Sequence, residues 1–110
     1  MSQQTTPRWE TKKTDETRRV EEQLRRQFPR TDAYRFNSVS IRVRVIDPRF
    51  TGKSDEERDA MVEPLLKQLP PDTQADIMNL LTLSPDEVGA DFTRKSLVNL
   101  EFEDPSESTL

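Results

Sequence analysis

The chain has 110 residues, of which 31% are apolar and 35% are charged, with two glycines, no cysteine and no histidine. This length and composition suit one domain with a modest hydrophobic core. Without cysteine or histidine the chain cannot form disulfides, thiolate nucleophiles, Cys/His zinc sites or a Ser-His-Asp triad. Two isolated glycines cannot build a P-loop or a dinucleotide-binding loop. The composition therefore predicts a non-catalytic protein without a cofactor.

No stretch approaches the ~20 consecutive apolar residues of a membrane helix, and residues 1–15 lack the apolar centre of a secretory signal. A cytoplasmic protein, monomeric or homodimeric and without a membrane partner, is the simplest expectation. Charge is divided unevenly, because residues 1–53 carry a net +6 and residues 54–110 a net −10. The basic half could bind phosphates or an acidic partner. The simpler interpretation is that the two halves attract each other, within one molecule or between two.

The first elements in chain order are a polar arm and a helix. Residues 1–14 are predicted to be a disordered arm. Its single aromatic residue, Trp9, either anchors a partner or folds back onto the domain. A helix is predicted from Asp15, because an apolar stripe at helical spacing follows and Pro29 would stop it. The stripe consists of Val20, Leu24 and Phe28.

Strand character begins at Thr31 and is the clearest pattern in the chain. Val39, Ile41, Val43 and Val45 alternate with Ser40, Arg42 and Arg44. Such an alternation predicts a half-buried strand, which Asp47-Pro48 would end.

A two-residue hairpin loop at Asn37-Ser38 would join this strand to the preceding one. That register places Phe36 opposite Val39 and Tyr34 opposite Ile41 on a buried face. Arg42 and Arg44 would then point to the other face, toward solvent or a partner.

Ser54 to Glu57 is a capping-box pattern that predicts a second helix. Its broad apolar face consists of Met61, Val62, Leu65, Leu66 and Leu69. Pro64 would kink this helix and Pro70-Pro71 would close it.

The last third of the chain is less well determined by pattern. Thr73 to Leu83 is compatible with a helix or with a buried strand. Ser84 to Glu87 predicts another helix start, and alternation at Val98, Leu100 and Phe102 suggests a short edge strand. Residues 104–110 are predicted to be a disordered tail, which leaves residues 15–103 as a single α+β domain.

The stretch from Val45 to Ser54, VIDPRFTGKS, followed by Arg58 and Met61-Val62, resembles the BolA-like family. In that family a strand ends in Asp, followed by Phe-x-Gly-x-Ser and then an Arg in the next helix. The distance from Arg58 to Ser84–Glu87 is also similar to the family's distance from this helix to a Thr-Pro-Glu-Glu turn. The resemblance covers about residues 17–88. It implies a small three-stranded sheet with helices packed on one face, in the order αββαβα, with Thr73 to Leu83 as the third strand.

The resemblance also implies a function. BolA-like proteins are regulatory partners of monothiol glutaredoxins and help to handle iron–sulfur clusters, and nucleic-acid binding has been suggested for some. Asp59 and Asp76 stand where the family has histidines. Because a carboxylate is a poorer cluster ligand than an imidazole, the iron–sulfur role does not carry over.

The predicted function is therefore a non-catalytic protein-binding, adaptor or regulatory module on a BolA-like scaffold, without iron–sulfur ligation. Its partner would be a protein, glutaredoxin-like by resemblance. The predicted binding residues are the strand arginines and the loop after them, namely Arg42, Arg44, Arg49, Phe50 and Lys53.

Two alternatives remain open. The first is a basic strip on one sheet face that would bind single-stranded nucleic acid, which is the less favoured function. Its cations would be Arg35, Arg42, Arg44, Arg49 and Lys53. Asp59 and Asp76 could bind a hard cation such as Mg²⁺ in a metal-dependent enzyme, although two solvated acids are the simpler interpretation. Gly52 is expected to provide a turn with positive φ.

Overall fold

A computed structural model describes residues 8–89 and 93–108 of the chain. Its centre is a three-stranded sheet in the order β1-β2-β3, in which β2 pairs antiparallel with β1 and parallel with β3. With η denoting a 3-10 helix, the elements are η1 (Arg8–Lys12), α1 (Asp15–Arg25), β1 (Arg30–Asn37), β2 (Ser40–Ile46), η2 (Pro48–Phe50), α2 (Asp55–Leu66), α3 (Pro71–Asp76), β3 (Ile77–Leu83), α4 (Pro85–Gly89) and α5 (Arg94–Glu103). The predicted α+β class with a small three-stranded sheet is confirmed.

The predicted helix starts agree with the structure. Ser54 Oγ accepts a hydrogen bond from the Glu57 N–H at 3.2 Å, and the Glu57 carboxylate accepts one from the Ser54 N–H at 3.1 Å. This capping box satisfies two backbone donors at the start of α2. Pro64 lies inside α2, and Pro71 begins the short helix α3. Within the described ranges, no helix is long and apolar enough to cross a bilayer.

Residues 73–83, for which the sequence pattern allows a helix or a strand, contain the end of a helix and a strand. Helix α3 ends at Asp76, and β3 begins at Ile77 and lies parallel to β2. A parallel pair needs a crossover of a dozen or more residues, which α2 and α3 provide.

The predicted hairpin register is wrong, by one residue at Tyr34. The loop is Ser38-Val39 and Asn37 pairs with Ser40, because the Asn37 side chain accepts from the Val39 N–H at 2.9 Å and so takes the first position of the turn. An irregularity in the pairing between Arg35 and Asn37 then places Tyr34 opposite Arg42. A shift of one residue moves a side chain to the other face of a sheet. Tyr34 consequently shares its face with Arg42.

Helices cover both faces of the sheet. On the first face, α1 and α2 pack as expected, and the core contains Val20, Leu24, Phe28, Ala33, Ile41, Val43, Val45, Phe50, Val62, Leu65 and Leu69. On the second face, η1 and α5 contribute Trp9 and Phe102 to a cluster with Tyr34, Ile46, Leu81 and Leu83. The expectation that helices pack on one face therefore describes only α1 and α2.

The predicted edge strand at Val98 to Phe102 is wrong, because these residues belong to α5. Thr93 Oγ1 accepts from the Ser96 N–H at 3.0 Å and caps this helix. Asn99 and Phe102 are buried at a spacing of three residues, which matches a helix and not a strand.

The predicted disordered arm contains structure. Arg8–Lys12 form η1, and Trp9 is buried against Tyr34 and Phe102, so it folds back onto the domain. Residues 1–7, 109 and 110 of the two predicted tails lie outside the described residues. In residues 104–108 no regular element forms, but Pro105 is buried.

Candidate functional site

Arg44 was predicted to face solvent but lies beneath α5, with 6% of its surface exposed. Its guanidinium donates to Asn99 at 2.8 Å and to Asp32 at 2.9 Å, and it lies 3.3 Å from the Glu103 carboxylate. A buried cation needs such partners to offset its lost hydration. The prediction that Arg44 faces solvent is wrong because α5 covers this face of the sheet.

Arg42 also connects the sheet to α5. It donates to the Glu101 carboxylate at 2.6 Å and to the Tyr34 hydroxyl at 3.2 Å. Hydrogen bonds from Ser106 and from Arg42 lower the pKa of Glu101 to about 2. Burial raises the pKa of Tyr34, whose hydroxyl donates to the Phe102 carbonyl at 2.8 Å. Arg42 thus holds α5 in place, and the expectation that it faces solvent is wrong.

The predicted loop residues have different environments. Phe50 is buried, and its ring stacks on Phe28 with 5.7 Å between centroids. Arg49 is exposed and pairs with Asp47 at 2.8 Å, and the side chain of Lys53 is also exposed. Arg49 and Lys53 are therefore the exposed members of the predicted set. Phe50 belongs to the core because η2 turns it inward before α2 begins.

Gly52 has φ of 76°, as predicted for the turn before α2. An L side chain is strained in this left-handed region, which glycine enters without cost.

The basic and acidic halves of the chain meet within one molecule. Arg35 pairs with Asp76 at 2.7 Å, and Arg8 lies 3.7 Å from Asp104. The pairs of Arg42 and Arg44 with α5 likewise join the two halves. These pairs support the simpler interpretation of the charge division, and the predicted basic strip does not form on one sheet face.

Asp59 lies in α2 and Asp76 at the end of α3, just before strand β3. Asp76 immediately precedes the strand and is bound to Arg35. Asp59 lies on α2 beside the cleft that also contacts Leu80 and Thr82. Across residues 8–89 and 93–108, no group of three or more acidic side chains is placed to hold a metal ion.

The outer face of α5 carries exposed apolar side chains. Leu97 and Leu100 are 58% and 60% exposed, and Val98 beside them is also exposed. The polar Asn99 is buried on the opposite side. Helices of globular proteins usually turn their apolar stripe inward, and grouped exposed apolar residues mark interaction surfaces. Sequence reasoning missed this face because alternation at residues 98, 100 and 102 suggested a strand, although Thr93 and Ser96 were an available capping signal.

Two clefts follow each other along β3, and α2 forms one wall of both. The first, of about 190 Å³, is lined by Asp55, Asp59, Leu80, Leu81, Thr82, Arg94, Lys95 and Val98. The second, of about 210 Å³, is lined by Glu63, Leu66, Lys67, Gln74 and Ile77. Asp55, Asp59 and Glu63 are four residues apart and so follow each other on one flank of α2. We call the two clefts and the strand edge between them the β3 groove.

The floor of the β3 groove is the outer edge of the sheet. The Leu83 carbonyl accepts from the Asp47 N–H at 2.9 Å and so points toward β2. Because backbone groups alternate along a strand, those of Thr82 and Leu80 point outward. The Thr82 carbonyl accepts from Arg58 at 3.0 Å. In the part of the chain that the structure describes, no strand pairs with the outward groups of Leu80.

The acidic wall of the β3 groove is incompletely neutralised. Asp55 pairs with Lys95, whereas Asp59 has no ion pair among the described residues. Partial burial raises the pKa of Asp59, and the neighbouring carboxylates of Asp55, Glu56 and Glu63 add to this effect. Lys95 opposes this shift, and Glu63 pairs with Lys67 at 3.3 Å. The two clefts are thus lined by three carboxylates and by the three cations Lys67, Arg94 and Lys95.

No family model, no curated protein and no solved structure matches the chain. The exposed face of α5 and the β3 groove are the features from which a function can be argued.

Proposed function

We propose that the chain is a non-catalytic protein-binding module on a BolA-like scaffold, without iron–sulfur ligation, and that the outer face of α5 contacts its partner. The observation that carries this proposal is the exposure of Leu97 and Leu100 beside Val98. Apolar surface gains roughly 25 cal/mol per Å² when it is removed from water. A partner that covers these side chains provides that gain.

Contacts on the inner side of α5 hold its outer face in a fixed position. Phe102 packs edge-on to Tyr34 with 4.8 Å between ring centroids, and Arg44 binds Asn99. Arg42 binds Glu101 on the next flank of the helix. A surface that is already held in position loses less conformational freedom when it binds.

The order of the elements and the three-stranded sheet, whose third strand is Ile77–Leu83, support the BolA-like resemblance. A glutaredoxin-like protein is then one partner to test. With Asp59 and Asp76 at the histidine positions, such an interaction would not need a shared cluster.

The test is affinity purification with the wild-type protein, a Leu97→Gln/Leu100→Gln variant and the control Val39→Gln. Val39 is exposed in the hairpin loop, so the control removes apolar surface elsewhere. We expect the wild type and the control to retain the same proteins, and the α5 variant to lose them. Retention of one set by all three, or of none by any, would contradict the proposal.

A second candidate function is weak nucleic-acid binding through cations around α1. Arg19, Arg26 and Arg30 are exposed, and no ion pair involves them in the described ranges. Phosphate contacts make affinity fall steeply as salt is added. Binding of a labelled oligonucleotide that weakens with salt, and that Arg19→Gln, Arg26→Gln and Arg30→Gln together abolish, would favour this function. Absence of binding at low salt would exclude it.

A further inference from the structure

We infer that the outer face of α5 pairs with the same face of a second copy of the chain, and that the two helices lie antiparallel about a twofold axis between Leu97 and Leu100. This inference rests on the proposed function, since it identifies the partner of that face. It goes further by fixing the orientation of the two helices.

The first support is the position of the exposed leucines. Leu97 and Leu100 lie at the middle of α5 and are 58% and 60% exposed. Residues three apart are neighbours on one side of a helix. When a second α5 lies antiparallel against this side, Leu97 of each copy meets Leu100 of the other. One symmetric contact therefore removes all four leucines from water, as a self-complementary interface requires.

The second support is the distribution of charge along the same side of α5. Arg94 precedes Leu97 by three residues, and Glu101 and Asp104 follow Leu97 and Leu100 by four. These spacings place a cation at the start of the outer face and carboxylates at its end. The side chains of Glu101 and Asp104 are 40% and 71% exposed. The leucines are thus bordered by opposite charges at the two ends of the helix.

Arg94 is available for a contact with another molecule. It is exposed, and it forms no ion pair among the described residues. Although it lines the first cleft beside Asp55 and Asp59, Asp55 is bound by Lys95 instead. The cation at the start of the outer face is therefore left without a partner within its own chain.

The order of these charges favours a second copy over an unrelated protein. A twofold axis perpendicular to the helices brings the start of one α5 to the end of the other, so Arg94 of each copy faces Glu101 and Asp104 of its partner. Ion pairs that border an apolar helix contact determine the choice and orientation of the partner helix. A parallel pair would instead place like charges together. The opposed helix dipoles of an antiparallel pair add a favourable contribution.

The size of the contact predicts a weak dimer. Helix α5 has ten residues, and a contact confined to such a helix lies at the small end of specific interfaces. The net charge of −4 on each chain also opposes association. We therefore expect a dissociation constant in the micromolar range and a dimer that forms only at high protein concentration.

The first test is sedimentation equilibrium of the full chain at about 5 to 500 μM, which spans a micromolar dissociation constant. We expect the wild type to be a dimer at the upper end of this range, and Leu97→Gln/Leu100→Gln to stay monomeric. Val39→Gln, which removes apolar surface from the hairpin loop, is the control and should behave as the wild type. A monomeric wild type, or a dimeric α5 variant, would overturn the inference.

The orientation is tested by reversing the charge of Arg94. Arg94→Glu converts two symmetric, partly exposed ion pairs into repulsions, and we expect it to weaken the dimer about tenfold. Arg19→Glu makes the same change of charge at an exposed position on α1 and should stay within about twofold. In a parallel pair Arg94→Glu would only replace one repulsion by another. Equal behaviour of the two variants would therefore contradict the antiparallel arrangement.

A second charge reversal should restore association. Adding Asp104→Arg to Arg94→Glu recreates opposite charges at both ends of an antiparallel pair, and we expect it to recover at least about threefold of the lost affinity. Asp104 is exposed, and its contact with Arg8 at 3.7 Å is a surface pair, so the fold should tolerate the change. No recovery would mean that these two positions do not meet in the dimer, which contradicts the inference.

A different protein on α5 is the remaining outcome. If the wild type is monomeric throughout, while Leu97→Gln/Leu100→Gln loses proteins that the wild type retains in affinity purification, the inference is wrong and the proposed function stands. If the wild type forms a dimer that Leu97→Gln/Leu100→Gln does not weaken, and all variants retain the same proteins, both are wrong.

Discussion

The two edges of the sheet are completed in different ways. On the β1 edge, Glu21 of α1 accepts from the Ala33 N–H at 3.1 Å and Arg25 donates to the Thr31 carbonyl at 3.0 Å. On the β3 edge, Arg58 and Lys95 cover the Thr82 carbonyl, whereas no strand among residues 8–89 and 93–108 pairs with Leu80. Exposed edge strands tend to pair with other strands. The comparison teaches that side chains of a packed helix can satisfy an edge strand, as α1 does for β1.

The protection of β1 uses a buried charge. Glu21 is buried and is neutralised by Lys13 at 2.6 Å and by Arg25 at 3.5 Å. A buried carboxylate is tolerated only with such partners. The carboxylates beside β3 lie near the surface instead, where Asp55 pairs with Lys95 and Glu63 pairs with Lys67 at 3.3 Å.

The largest expected effect is at the closed end of β3. Arg58 is buried and donates to the Thr82 carbonyl and to Glu87 at 2.6 Å. Arg58→Ala leaves these acceptors without their donor, and we expect the free energy of unfolding to fall by about 3 kcal/mol. Urea denaturation would measure this. The exposed Arg94 is the control, and a loss for Arg58→Ala no greater than for Arg94→Ala would contradict the structural role.

Removing the cover of β1 comes next. Glu21→Ala leaves the Ala33 N–H without an acceptor and Lys13 without its carboxylate, and should lower the free energy of unfolding by about 2 kcal/mol. Glu22→Ala, on the exposed side of the same helix, should change it by less than about 0.5 kcal/mol. The variant should also self-associate more strongly as its concentration rises, measured by sedimentation. Equal effects of the two variants would show that Glu21 does not protect this edge.

The attachment of α5 predicts a smaller, pH-dependent effect. The pKa of Glu101 is lowered from its ordinary value of 4.5 to about 2. A lowered pKa stabilises the folded state fully above the unfolded value, and this stabilisation is lost as the pH falls through about 4.5 to 2. Since the side chain is 40% exposed, screening by solvent limits the contribution to about 1 kcal/mol or less. Urea denaturation across this pH range should show a flatter dependence for Glu101→Gln than for the wild type, and identical slopes would contradict the assignment.

The smallest effect on stability is expected from placing a charged residue in strand β3, which has none, whereas β1 contains several. Met78→Lys alters an exposed side chain and should change the free energy of unfolding by less than about 0.5 kcal/mol. In a chain that also carries Leu97→Gln/Leu100→Gln, the added cation should nevertheless keep the protein monomeric to higher concentration, because a charged residue on an edge strand opposes pairing with another strand. Sedimentation would measure this. Met78→Gln, which changes polarity but not charge, is the control and should self-associate at a lower concentration than Met78→Lys; equal behaviour of the two variants would contradict the prediction.

The β1–β2 hairpin shows what a local sequence pattern predicts and what it does not. Alternation at Ile41, Val43 and Val45 predicted β2 correctly, since burial of one face imposes period two on any half-buried strand. The register depended on Asn37, which can serve at more than one position of a turn, and on an irregularity in the pairing between Arg35 and Asn37. One residue of difference moved Tyr34 to the opposite face.

Local chemistry along the chain determined much of this protein. The capping box at Ser54, the turn at Gly52 and the strand β2 depend on residues that are close in sequence, and each was predictable from them. The absence of cysteine and histidine likewise excluded thiolate nucleophiles, Cys/His zinc sites and Ser-His-Asp triads from the predicted functions.

Only the tertiary structure decided the roles of Arg42 and Arg44. The sequence pattern of β2 does not show which of its two faces another element covers. Helix α5, which covers the face with Arg42 and Arg44, begins about fifty residues further along the chain. The same helix buried Asn99 and exposed Leu97, because the aromatic cluster around Phe102 fixed which side faces the sheet. Which face of a strand a distant helix covers is determined by packing among residues far apart in the chain, and the periodicity of a single segment does not encode it.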